Sequence, residues 1–265
     1  MQDRATMFEK SAFGALLRQY RSARRMSQLE LALSCQVSAR HLSFLESGRS
    51  LPSRDMVLQL GAGLLLPLSA RNALLQSAGF APVYPVSPLD SAAMLPFRAI
   101  LNEMIERHSP FPAMLVDRHW TVHEANVAAQ MFLSTLVPEG GETNLVRMLA
   151  CSPAAPRVIL NLPEVLAELL SRLQLEALEA GDDPQFRILL PMLEDACRQY
   201  PQRRAVGRRT VLPLVMSTPS GRLQFLTLIA HFGTSEDVTV RDLRLELLFP
   251  ADEITREALN SQVHV

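Results

Sequence analysis

The chain has 265 residues, 48% of them apolar and 20% charged, which is the make-up of a folded globular protein of two domains and excludes a disordered one. A formal charge of −1 conceals a division: residues 1–80 hold ten basic and five acidic groups, residues 81–265 sixteen and twenty-two, so the first part suits a polyanion. Secreted, membrane-spanning and cysteine–metal classes are excluded, because there is no h-region or bilayer-length apolar run, and Cys35, Cys151 and Cys197 form no C-x-x-C; a reducing cytoplasm is expected.

The first 80 residues read as short helices. Phe13, Leu16, Leu17 and Tyr20 recur at i, i+3, i+4, i+7 and predict a first helix over roughly 12–25. Ser27-Gln-Leu-Glu30 is a capping box opening a second helix that ends near Ser34. Ser38 caps a third helix that runs to Glu46, and Gly48 supplies its left-handed stop. Ser53 caps a fourth helix, with Asp55 at its positive end, and Ser69–Gly79 reads as a fifth.

From Gly79 to Pro96 prolines punctuate the chain, and a semi-rigid connector is expected over 81–95 between domains 1–80 and 96–265. Beyond it, Phe97, Ile100, Leu101, Met104 and Ile105 mark a helix. Ala113–Asp117 and Trp120–Glu124 read as a hairpin, and Asn126 as the cap of a helix toward Leu136. Residues 144–200 are helical in character, and Val211–Met216, Leu223–His231 and Arg241–Phe249 are strand-like. In the last run Leu243, Leu245, Leu247 and Phe249 alternate with Asp242, Arg244 and Glu246, the pattern of one buried and one wet face. The expected fold class is α+β: an all-α head, then a PAS-like antiparallel sheet with helices packed on one side.

The most informative stretch is Met26–Ser53. Leu31, Ala32, Val37, Leu42 and Leu45 have the spacing to pack the second and third helices together. Ala39, Arg40, Ser43 and Phe44 are then left outward on the third helix, which can enter the major groove of B-DNA. Arg40 can fork onto guanine N7 and O6; Ser38 and Ser43 can reach phosphate or a base edge; Ala39 or Phe44 can lie against a thymine methyl. Ser27 and Gln28 open the second helix, where a phosphate is favoured, and Arg49, with Arg21, Arg24 and Arg25, adds neutralising charge. Singly, each arginine is equally at home on a solvated surface; together these features predict double-stranded DNA as partner.

With these residues in place, 12–80 resembles the Xre/Cro-type helix-turn-helix, chiefly in SQLELA, VSARHLSFLESGR and the PS at 52–53. AGFAP at 78–82, VDRHWTVHEAN at 116–126 and TLIAHFGTSEDVTVRDLRLELLFPADEIT at 227–255 resemble regulators with an MmyB-like ligand-binding domain. The chain departs from that pattern at Ala12, where an aspartate is usual before Phe13-Gly14, and at Leu162, where many relatives carry tryptophan. The resemblance implies a dimeric regulator, repression more than activation, and a fatty-acid-like ligand in the sensory half.

A sheet roofed by helices can enclose a small apolar ligand. Met114, Trp120, Phe132, Phe186, Met192 and Phe225 are the expected lining, each equally suited to plain core, and Arg147 or Arg187 is placed to anchor a carboxylate. His119 and His123 stand four apart on a strand turn, not on one helical face, so no metal site is expected. No G-x-S-x-G occurs and Gly61-Ala-Gly63 lacks a third glycine, so neither catalysis nor a cofactor is expected. The reading is a cytoplasmic, DNA-binding transcriptional regulator, a homodimer on a pseudo-palindromic operator. Two alternatives stay open: a second half that only dimerises or binds a protein partner, and a metabolite-binding protein or enzyme whose helical head serves assembly.

Overall fold

The computed structural model describes residues 2–136, 143–180, 183–202, 211–219, 221–233 and 235–261. The chain divides into two compact units, one built chiefly on residues up to Val86 and the other chiefly on residues from Ser87 onward.

The first unit holds five helices: α1 (Gln2–Ala23), α2 (Gln28–Ser34), α3 (Ala39–Glu46), α4 (Arg54–Gly63) and α5 (Leu68–Ser77). Helix α1 begins well before the expected residue 12, since no proline or glycine interrupts 2–11. Three successive helices open on a serine. Ser27 Oγ accepts from Glu30 N at 3.1 Å while Glu30 Oε2 accepts from Ser27 N at 2.6 Å; Ser38 and Ser53 accept from His41 N and Met56 N. Each cap of this kind contributes about 1 kcal/mol. Phe13, Leu17 and Tyr20 of α1 meet Leu31, Leu42, Leu45, Val57, Leu60 and Leu74 in one core. Val37 packs against it partly buried. Gly14 allows the close approach of α1 to α3, since a Cβ there would lie 2.6 Å from the Glu46 carbonyl oxygen and 2.7 Å from that of Leu45.

The expected connector is tied down at its start. Buried Asn72 of α5 accepts from Val83 N and Tyr84 N at 3.1 Å and donates to Tyr84 O at 2.7 Å. Segment 81–86 is therefore part of the first unit's framework, because one side-chain amide satisfies the backbone that the prolines leave without a ladder.

The second unit opens with a 3-10 turn (Ala92–Met94) and α6 (Leu95–Arg107), followed by β1 (Ala113–Val116), β2 (Val122–Ala125), α7 (Val127–Ser134), α8 (Leu145–Cys151), α9 (Ala155–Val158), α10 (Leu162–Ala180) and α11 (Pro184–Gln199). It closes with β3 (Leu214–Thr218), β4 (Gly221–His231), α12 (Val238–Asp242), β5 (Arg244–Pro250) and α13 (Glu253–Ser261). The sheet runs β2-β1-β5-β4-β3, with antiparallel pairing throughout, so β1 and β5, far apart in sequence, pair at its centre. The whole is α+β.

Two strand expectations change. Val238–Asp242 is a helical turn, so the last strand begins at Arg244. Its alternation does not separate buried from wet: Glu246 and Leu248 are buried, while Phe249 is exposed. The reason is that helices lie on both faces. On one face Leu101 and Ile105 of α6 and Val240 of α12 cover Ala113, Leu115 and Leu245. The register puts Met114 opposite Glu246, and Thr227 opposite Leu248, on the other face, where α7, α8 and α10 complete a cavity.

Candidate functional site

Helix α3 is amphipathic on a scale set by Leu42 and Leu45, which are completely buried. Their burial fixes what remains outward. Ser38 and Arg40 are exposed, and Ser43 and Phe44 half-buried. Ala39 is partly packed against the core, which leaves it little surface for a base edge. Ser38 Oγ already accepts the cap bond from His41 N, which leaves its hydroxyl proton and one lone pair for any outside partner. The Arg40 guanidinium carbon lies 5.4 Å from the centre of the Phe44 ring, and that of exposed Arg49 lies 5.9 Å from it.

A polar network that sequence reasoning missed sits behind this face. Arg21 grips Glu46 with two bonds, Nε to Oε1 at 2.6 Å and Nη2 to Oε2 at 2.9 Å. Gln28 Nε2 donates to Glu46 Oε2 at 2.7 Å, and Arg18 Nε approaches that oxygen at 3.6 Å. Burial of Glu46 pushes its carboxyl up, but the hydrogen bonds from Arg21 and Gln28 and the charges of Arg21 and Arg18 outweigh it and hold the pKa below the usual carboxylate range. The Gln28 amide and the Arg21 guanidinium, expected at phosphates, are thus engaged in fastening α1 and α2 to the end of α3. Arg24 Nη2 donates to Leu65 O at 3.2 Å. Of the residues expected at DNA, Arg25, Ser27, Ser38, Arg40 and Arg49 are exposed, while Gln28, Ser43 and Phe44 are half-buried. A bond spanning 25 residues has no local spacing by which to find it; the one clue was an acidic residue in the last turn of a helix, against the dipole.

In the second unit a cavity of about 470 Å³ lies against the inner face of the sheet, within the usual range for small-molecule sites. Met114, Trp120 and Phe132 line it. Phe186, Met192 and Phe225 are not among its lining residues. Phe186 is buried under other groups, with the His119 ring 5.0 Å away and the Arg118 guanidinium 5.5 Å away. Phe225 is buried between Leu214 and Pro250 in the strand register, and Met192 is half-buried on α11. Arg147 and Arg187 are likewise not lining residues. The aliphatic wall comes from positions that single-residue reasoning passed over, among them Leu149, Ile159, Val165, Leu169 and Leu248.

Polar groups enter the wall at four places: Thr227, buried Glu246, and Glu168 with Arg172 on α10. The last two are one helical turn apart and joined by Arg172 Nε donating to Glu168 Oε1 at 3.1 Å, both partly open to solvent. Trp120 enters on a left-handed backbone, φ 66°, a conformation that costs about 1–3 kcal/mol in a bulky residue. The β1–β2 turn enforces it: Trp120 N donates to Asp117 O, Leu145 N donates to Trp120 O, and Asp117 Oδ1 accepts from His119 N and Thr121 N. His123 Nε2 sits 3.1 Å from Asp117 Oδ2, so that aspartate is a turn-holding group. Among the described residues no cluster of His, Cys, Asp or Glu could hold a metal ion, and no helix is long and apolar enough to cross a membrane.

Two family models match, one over each part of the chain. A helix-turn-helix domain covers residues 12–74, and the MmyB-like transcription regulator ligand binding domain covers 97–261. No curated protein matches the chain. The chain belongs to the MmyB-like transcription regulators, DNA-binding proteins that carry a ligand-binding domain.

Proposed function

We propose that this regulator is a homodimeric repressor that binds a pseudo-palindromic operator through α3 and releases or tightens on it when a small apolar, fatty-acid-like ligand fills the cavity of the second unit. The observation that carries the ligand reading is the composition of the cavity wall: aliphatic and aromatic side chains inside, with Glu168 and Arg172 partly open to solvent at its edge. An apolar chain is stabilised inside by roughly 25 cal/mol per Å² removed from water. An acidic head is favoured at Arg172, on the partly solvent-open part of the wall, and disfavoured inside, where a carboxylate would be buried among apolar side chains.

For the DNA the reading assigns Arg40 to a base edge, Ser27, Ser43 and Arg49 to phosphates, and a second copy of α3 to a half-site one helical turn or a multiple away. A ligand changes DNA affinity only by binding one arrangement of the dimer more tightly than another. The test couples both sites. Purified protein is stripped of co-purified lipid, which mass spectrometry identifies, and its affinity for a selected duplex is measured with and without that lipid. A changed affinity that Arg172→Ala reduces about tenfold in lipid sensitivity supports the reading. Unchanged affinity at saturating lipid refutes it.

A further inference from the structure

We propose that Phe44 is a positioning residue for the DNA-reading face, an aromatic platform that holds the Arg40 and Arg49 guanidinium groups ready for one duplex. The proposal rests on the reading of α3 given above and adds to it a device that neither arginine has alone. It begins in the backbone. Helix α3 ends in a reversal in which Gly48, at φ 71°, takes the left-handed position; Gly48 N donates to Leu45 O at 3.2 Å and Arg49 N donates to Phe44 O at 2.8 Å. These are the two crossed bonds of a Schellman cap, which brings the residue after the glycine beside the one five positions earlier. In most such caps that contact is apolar on both sides. Here it is an arginine on a phenylalanine, with the Arg49 guanidinium carbon 5.9 Å from the ring centre.

Arg40 reaches the same ring by a different route. It precedes Phe44 by four residues, one turn along the helix, and its guanidinium carbon lies 5.4 Å from the ring centre. The electron-rich face of the ring attracts both cations. Their mutual repulsion is relieved when a polyanion arrives, so the arrangement favours the bound state. Long arginine side chains otherwise lose rotamer freedom on binding, and holding them beforehand reduces that loss. Each arginine–ring pair at an exposed site favours the held conformer by about two- to five-fold, which is the most that it adds to affinity.

The experiment uses the full chain and the duplex that the wild type selects from a randomised pool. Phe44→Leu keeps an apolar side chain for packing and removes the aromatic face; Phe44→Tyr keeps the face. Affinity is measured across salt concentration, base preference by repeating the selection, and folding by thermal melting. Phe44→Leu is expected to melt as the wild type does, to bind about five-fold more weakly or worse, to lose about one from the salt slope as Arg49 drifts, and to relax preference at the base that Arg40→Ala also relaxes. Phe44→Tyr is expected to restore all three. Combining Arg40→Ala with Phe44→Leu should cost less than the sum of the two. A Phe44→Leu protein with wild-type preference and slope, while Arg40→Ala alters preference, overturns the platform and leaves the α3 reading standing. Loss confined to a thymine position that Arg40→Ala does not affect overturns it in favour of a methyl contact. An Arg40→Ala protein with unchanged preference overturns the α3 reading itself.

Discussion

The two units keep their chemistry in opposite places. The helical unit has a buried leucine core, with Leu17, Leu31, Leu42, Leu45, Leu60 and Leu74 at zero exposure, and carries its candidate residues on the outside of α3. The sheet unit leaves a cavity in its interior, with its candidate residues in the wall. A surface that must meet a rigid duplex is best backed by a tight core that fixes side-chain direction. A cavity that must admit and release a ligand tolerates aliphatic side chains that repack, Met114 among them. The difference predicts that damage to the core of the first unit appears as instability, and damage to the cavity wall of the second as lost ligand binding.

The largest effect is expected from Glu46→Ala. It leaves Arg21 and Gln28 without the carboxylate that joins α1, α2 and α3, and removing one partner of a buried pair costs about 3–5 kcal/mol. Chemical denaturation followed by circular dichroism should show the helical transition moving to lower denaturant. The fluorescence of Trp120, the single tryptophan, should keep its midpoint because it reports on the sheet unit. Coincident loss of both signals would break the contrast.

A cavity-filling change, Leu169→Trp, should act the other way. Wild-type protein gains about 2.7 kcal/mol from a ligand present at a hundred times its dissociation constant; the filled variant should gain almost nothing while staying folded. Thermal melting with and without the co-purified lipid checks this, and an undiminished ligand shift would place the ligand elsewhere.

The smallest effect is a pH dependence. The Glu46 carboxyl titrates below the ordinary range of near 4.3 in the folded chain, held down by Arg21 and Gln28 against its burial. A depressed folded pKa adds stability above the unfolded value and loses it as pH falls through the folded one. Denaturation of the helical unit between about pH 5 and pH 3 should therefore show a slope that Glu46→Gln flattens. An unchanged slope would assign the acid sensitivity to other carboxylates.

How much of this was legible follows the same contrast. Ser27, Ser38 and Ser53 announce their helices within three residues of the amide each one caps, and the outward set on α3 follows from where Leu42 and Leu45 must go. Both are local relations, which one sequence carries in full. The Arg21–Glu46 bond and the fastening of Tyr84 by Asn72 depend on chain segments meeting across the core, and nothing in their spacing marks them. The cavity is harder still. Its wall draws on β1, β3, β4, β5 and three helices at once, so Val165 and Leu169 look like any stripe on an amphipathic helix. Large aromatic residues were a partial guide: Trp120 and Phe132 line the cavity, Phe186 and Phe225 are buried away from it, and aliphatic side chains make up most of the remaining wall. Trp120 was found for its size, while its left-handed backbone depends on Asp117 and Leu145 holding the turn.

The central claim is that α3 reads duplex DNA through Arg40, and retention on DNA as salt is raised tests it most directly. With about six phosphate contacts in a dimer, log affinity should fall against log salt with a slope of about −5. Arg40→Ala should lose roughly 1–3 kcal/mol of discrimination between the selected site and its guanine-substituted variant, with little change in slope. Equal, salt-insensitive binding by wild type and Arg40→Ala would contradict the account.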